Sequence, residues 1–178
     1  MNYIPFILAF FFIGHASAQR YMTREAEVSF LSDTDAIEVV AAINQQVGAV
    51  IDLSQGQVAF QLQMRAFEFK IALMEEHFNE NYVESDIYPK ATFKGKLVEI
   101  PEDLSSIQEL RVEGVMDLHG VRKQILIPVR MRVVEGKLIG TSEFNLLCSD
   151  FNIKIPRIVS DKIANEIEVT VKATLTKI

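Results

Sequence analysis

MEEHFNENYVESDIYPKATFKGKL, residues 74–97, joins three physically different pieces, and the fold turns on how they are read. Met74, His77, Phe78 and Tyr82 recur at roughly helical spacing. Tyr88-Pro89 then removes a backbone donor and pushes the chain toward an extended form. From Ala91 the pattern has period two: Ala91, Phe93, Gly95 and Leu97 share one side, as in a strand. A short helical turn, a proline stop and a strand predict a lid or mouth feeding into a sheet.

Upstream, Val58, Phe60, Leu62 and Met64 alternate against Ala59, Gln61 and Gln63. The parity then flips, with Phe67, Phe69 and Ile71 set against Glu68 and Lys70. A one-residue phase change marks a bulge or bend near Arg65-Ala66, where a long strand turns a corner. Glu25–Leu31 reads as a first strand and Ser32–Asp35 as a turn. Ala36–Asn44 fits helix and strand equally. Ala49–Leu53 is a separate short apolar run closed by the turn Ser54-Gln55-Gly56.

Downstream, Pro101–Ser106 is a loop, and Leu110–His119 and Val121–Val134 form two arms joined through Gly120. In the second arm Ile125, Ile127, Val129, Met131 and Val133 face one way, against Gln124, Pro128, Arg130 and Arg132; Leu126 is the apolar exception. Pro128 implies an edge-like position, a bulge, or the loss of one ladder bond. Glu135-Gly136-Lys137 turns into the strand Leu138–Leu147. Ser149–Ser160 connects to a last strand in which Ile167, Val169, Val171, Ala173 and Leu175 alternate with polar residues. About eight strands in succession, without alternating helices, exclude βαβ units and leave antiparallel sandwich and barrel both open.

The 178 residues suit one domain. Met1–Ala18 carries no Asp, Glu, Lys or Arg, runs through an apolar core from Ile4 to Ile13, and ends in Ala16-Ser17-Ala18. It is expected to be a signal peptide removed before Gln19, although its start lacks the usual Lys or Arg. An uncleaved anchor would need roughly 20 apolar residues. The expectation is therefore an exported single domain over residues 19–178, periplasmic or secreted, with no integral membrane segment after cleavage. Cys148 is the sole cysteine, so an intramolecular disulfide is excluded and the core must supply the stability. A net charge of −6 without a basic cluster argues against nucleic acid as a partner.

Materials for catalysis are sparse. Past the signal there are two histidines, His77 and His119. Glu75-Glu76-His77 reads as a solvated turn at a barrel mouth, His119-Gly120 as a hairpin turn that tolerates histidine, and Cys148 as a structural thiol. No nucleophile elbow, phosphate loop or dinucleotide fingerprint is present. No catalytic residue, metal or cofactor is expected. The inward candidates are Phe60, Leu62, Met64, Phe67, Phe69, Phe93, Leu118, Ile125, Ile127, Val129, Met131, Phe144 and Phe151. Methionine and phenylalanine together suit an adaptable pocket for a flexible chain, and equally a close-packed core.

Three segments, in order, resemble the YceI-like, or polyisoprenoid-binding, family: His77-Phe78 with Tyr88–Gly95; Val112–Lys123; and Phe144 through Phe151-Asn152-Ile153 with the last strand. The resemblance runs over most of residues 25–178. It implies an all-β fold, an antiparallel lipocalin-like β-barrel of about eight strands with one short helix near the mouth, and it tips Ala36–Asn44 to strand. It also implies a carrier of isoprenoid or other amphiphilic lipid, with His77, Phe78 and Tyr82 joining the inward candidates as ligand-binding residues. The alternative is a packed, ligand-free barrel acting as a structural or stress-related interaction protein of the envelope; a homodimer is left open. Where the family commonly has an Arg-Asp pair before its histidine, this chain has Glu75-Glu76. Acidic residues repel a diphosphate, so the departure implies a neutral or weakly polar head such as a quinone or an alcohol.

Overall fold

The computed structural model describes residues 19–32, 39–156 and 164–178. The expected signal peptide, Met1–Ala18, lies outside the described residues, as do most of the Ser32–Asp35 turn and the ends of the Ala36–Asn44 and Ser149–Ser160 segments. The strands are β1 (Arg20–Ser32), β2 (Val40–Asp52), β3 (Gln57–Gln63), β4 (Glu68–Phe69), β5 (Lys90–Leu97), β6 (Gln108–Leu118), β7 (Val121–Val134), β8 (Lys137–Leu147) and β9 (Glu166–Lys177). One short helix, α1 (Ala72–His77), widens into a π-type turn over Phe78–Tyr82.

Eight strands pair antiparallel in the order β1-β9-β8-β7-β6-β5-β3-β2, and β2 returns to β1 to close the ring. The two-residue β4 is an appendage on β2, pairing Ala42 with Phe69 and Ile43 with Glu68. Between barrel and sandwich the answer is therefore a closed barrel, with its apolar sides turned inward and its polar sides to water.

Both tight hairpins place two residues at positive φ. His119 and Gly120 lie at 51° and 73°, Glu135 and Gly136 at 50° and 77°. This type I′ geometry matches the twist of the strands it joins. On the barrel wall Gly95 faces Gly114 across β5 and β6. A Cβ on either glycine would sit within 3.0 Å of the Phe93 ring tip. The bare pair is the seat on which that ring lies.

Two local readings are revised and a third is decided. Ala49–Leu53 is not a separate element, because β2 runs unbroken from Val40 to Asp52. It accommodates its polar interruption through a register shift against β1 between Ala26 and Val28. The fully buried Asn44 satisfies the irregularity, donating from Nδ2 to the Gln63 carbonyl (2.9 Å) and accepting the Gln46 N–H (2.9 Å). The parity flip at Arg65-Ala66 is a 3₁₀ turn over Met64–Ala66, with the Met64 N–H donating to Pro89. Finally, Pro128 does mark a lost ladder: β7 and β8 pair only from Val134↔Lys137 to Arg130↔Thr141. Two residues on, Pro128 has no N–H to offer, and its carbonyl takes the Ser142 hydroxyl instead.

Candidate ligand cavity

One end of the barrel is plugged. Tyr21, Leu53, Leu97, Leu104 and Leu138 come from the strand ends and loops gathered there, and all are buried. Toward the other end the side chains stop meeting and enclose a cavity of ≈ 1070 Å³. Its walls carry Phe60 and Leu62 of β3, Phe93 of β5, Leu118 of β6, Ile127, Val129 and Met131 of β7, and Phe144 of β8. Met64 and Phe67 line it at the 3₁₀ corner, Phe69 from β4, and His77, Phe78 and Tyr82 from the helical segment.

Phe151 is a correction. After β8 the chain enters a 3₁₀ turn over Cys148–Phe151, capped by Asn152 in a left-handed conformation (φ 57°). Strand alternation ends there, so Phe151 is buried outside the cavity while Cys148 and Ile153 line it. Ile125 also falls outside the lining and packs, half-buried, against the core. The lining further includes Phe30, Met116, Val169, Val171 and Leu175, which carry the same alternation and were legible by it, and Val47, which lies past the irregularity in β2 and was not.

The helical segment forms the roof. Phe30, Phe67, Phe69 and Phe78 interlock beneath it with ring centroids 5.0–5.8 Å apart. Glu75, one of the two acidic residues before His77, is engaged within its own segment. Its carboxylate accepts the Phe69 N–H (3.4 Å), its carbonyl accepts Asn79 Nδ2 (2.9 Å), and neither Glu75 nor Glu76 lines the cavity.

His119 is more than a tolerated turn residue. It is 9 % exposed; Nδ1 donates to the Phe151 carbonyl (3.0 Å), and Nε2 meets Glu84 Oε2 (2.9 Å). Tyr88 stands edge-on to the imidazole with centroids 4.5 Å apart, over Gly120, where a Cβ would come within 2.6 Å of the ring. An Arg65–Asp86 ion pair adds a further tie. The segment Glu84–Pro89 is thus strapped to the β6–β7 hairpin, which holds the roof in place.

The electrostatics of the lining are uniform. Among the described residues it contains no Asp, Glu, Lys or Arg; its polar side chains include Ser32, Gln61, Thr92, Thr141, Ser142, His77 and Tyr82. Partial burial raises the pKa of the Tyr82 phenol, keeping it a neutral donor. Burial likewise pushes the Cys148 thiol up, away from the reactive thiolate. Among the described residues no group of three His, Cys, Asp or Glu side chains is placed to hold a metal, and no helix is long and apolar enough to cross a membrane.

A closed antiparallel barrel around a cavity whose described lining is mostly apolar, roofed by a short helix, defines a lipocalin-like cavity protein. Residues 21–175 match the family profile of the YceI-like domain, and the chain belongs to that family. Among solved structures it is similar to a polyisoprenoid binding domain from Saccharophagus degradans implicated in plant cell wall breakdown. That likeness is at 12% identity and TM-score 0.76, over 91% of this chain and 100% of that one. It is also similar to Burkholderia cenocepacia BcnA (12% identity, TM-score 0.67, 85% and 96% covered) and to a Campylobacter jejuni YceI protein (13% identity, TM-score 0.59, 98% and 97% covered). None of the curated proteins matches.

Proposed function

We propose that this protein is a noncovalent carrier of a long-chain amphiphile with a neutral or weakly polar head, such as an isoprenoid alcohol or a quinone. The observation that carries the proposal is a ≈ 1070 Å³ cavity whose described lining has no charged Asp, Glu, Lys or Arg side chain. At about 30 Å³ per methylene-sized group, that volume holds roughly 35 such groups, the scale of a long lipid tail. The plugged apolar end suits the tail, and the His77 and Tyr82 side chains beneath the roof suit the head. The solved polyisoprenoid binding domain of the same fold supports the lipid class. In this reading the protein acts without catalysis or cofactor. It is exported by the Met1–Ala18 segment and works in the periplasm or outside the cell.

A diphosphate would bring charge into a lining whose described residues include no Lys or Arg to meet it, at the cost of desolvation. The test compares a dansylated isoprenoid alcohol with its diphosphate by fluorescence titration. The alcohol is expected to bind more tightly by about tenfold or more, a difference of about 1.4 kcal/mol. Tighter binding of the diphosphate overturns the neutral-head assignment, and absence of binding by either overturns the carrier reading.

A further inference from the structure

We infer that the barrel wall contains a lateral ligand window between β7 and β8, and that the amphiphile exchanges through it rather than under the helical roof. This rests on the carrier reading above. The β7–β8 ladder ends at Arg130↔Thr141, although both strands continue, β7 back to Val121 and β8 on to Leu147. Continued register would pair Leu126 with Asn145 and Gln124 with Leu147; neither pair forms. The other face of β7 stays fully zipped to β6, from Leu118↔Val121 to Gln108↔Met131.

The gap has a frame. At its lower end the Ser142 hydroxyl donates to the Pro128 carbonyl. At its upper end Lys123 pairs with Asp150, and His119 bonds to the Phe151 carbonyl. Between these ties run roughly five residues of β7, about 17 Å of strand. Pro128 makes the parting permanent, because the donor that would extend the ladder is missing.

The rim has the chemistry of a lipid passage. Val129, Phe144 and Leu146 point into the cavity here and are only half-buried, whereas Leu138 and Ser142, farther down the same face of β8, are buried. On the outer surface two leucines flank the gap: Leu126, 52 % exposed, and Leu147, 39 % exposed. Leu126 is the one open-chain aliphatic side chain between Arg122 and Arg132 on the outward face of β7. Beside Gln124, Glu143 and Asn145 these leucines give the outer rim an apolar foothold that continues into the apolar interior, a path along which a hydrocarbon chain has reduced contact with water. The roof is the costlier route, since lifting it separates four interlocked phenylalanines and the His119–Glu84 strap.

The experiment closes each route in turn. In a Cys148→Ser background, whose own exchange rate is the baseline, Leu126→Cys with Asn145→Cys are joined by a reducible bis-methanethiosulfonate linker. Gln124→Cys with Leu147→Cys provides a second staple across the same gap, and Arg65→Cys with Asp86→Cys staples the roof. Stopped-flow fluorescence follows release of a dansylated isoprenoid alcohol to excess unlabelled alcohol. Either window staple is expected to slow release by about tenfold or more, with reductant restoring the rate in the same sample, while the roof staple leaves it unchanged. Unaltered release with both window staples, or slowing by the roof staple alone, overturns the window. Failure of the unlinked protein to bind the probe overturns the carrier reading itself.

Discussion

Gly140→Leu separates a hollow barrel from a packed one. Gly140 lies on the cavity wall in β8, between Met131 of β7 and Ala173 of β9. A Cβ built there meets nothing nearer than the Arg130 carbonyl oxygen and Met131 Cγ, both at 4.0 Å, and the backbone is not left-handed. Leucine adds four carbons, about 120 Å³ at about 30 Å³ each. That is roughly a tenth of the ≈ 1070 Å³ available. Burying those carbons is worth about 3 kcal/mol at ~0.8 kcal/mol each. Removing a glycine from a strand adds about 0.5–1 kcal/mol, and the lost rotamer freedom of leucine subtracts a similar amount. The ligand-free variant should therefore gain about 2–3 kcal/mol in urea denaturation with an unchanged m-value. The same side chain occupies space the ligand needs, so affinity for an isoprenoid alcohol should fall by about tenfold to a hundredfold. Destabilisation by about 1–3 kcal/mol, the signature of overpacking, would refute the reasoning and leave a close-packed core.

Three further substitutions test the frame. Gly114→Ala would place a Cβ 2.5 Å from Gly95 Cα and Lys94 O and 2.7 Å from the Phe93 ring. It should cost about 2–3 kcal/mol in denaturation, and a neutral result would contradict the glycine seat under Phe93. The Asp52 carboxyl is held at about 2, below the ordinary 3.8, first by the Ser54 hydroxyl and then by Arg20. Because the folded value is the lower one, this stabilisation is complete above the ordinary value and is lost as pH falls through about 2. Asp52→Asn should accordingly lower the Tm at neutral pH, with the gap to wild type closing as the solution is acidified; a pH-independent gap counts against the arrangement. His119→Ala removes two hydrogen bonds and the Tyr88 contact, a loss of about 3 kcal/mol. Hydrogen exchange should quicken selectively in residues 84–90 and 148–151; uniform quickening would mean that His119 does not anchor the roof.

Much of this architecture was legible in period-two patterning. The strand after Pro89, the β6–β7 hairpin and the last strand each bury the side that alternation assigns. Pro128 left an edge-like position, a bulge or a lost ladder bond open, and the structure has the loss, extended over the rest of the β7–β8 ladder. What depends on distant partners was not legible. The continuity of β2 through Asn44 rests on a carbonyl at Gln63, 19 residues away. The role of His119 needs Glu84 and Phe151, 35 and 32 residues away. Phe151 kept the look of a strand residue because nothing in its own segment reveals the left-handed turn at Asn152 that removes it from the wall. Hollow and packed barrels share one alternation. The space between facing walls depends on how far apart closure holds them, which no single strand encodes.

Native mass spectrometry of the protein, purified without detergent and measured before and after organic extraction, tests the carrier claim most directly. The expected result is an adduct of lipid mass that extraction removes, and that a neutral isoprenoid alcohol or quinone restores at one molecule per chain. A clean unliganded mass that stays unchanged after incubation with those lipids would contradict it.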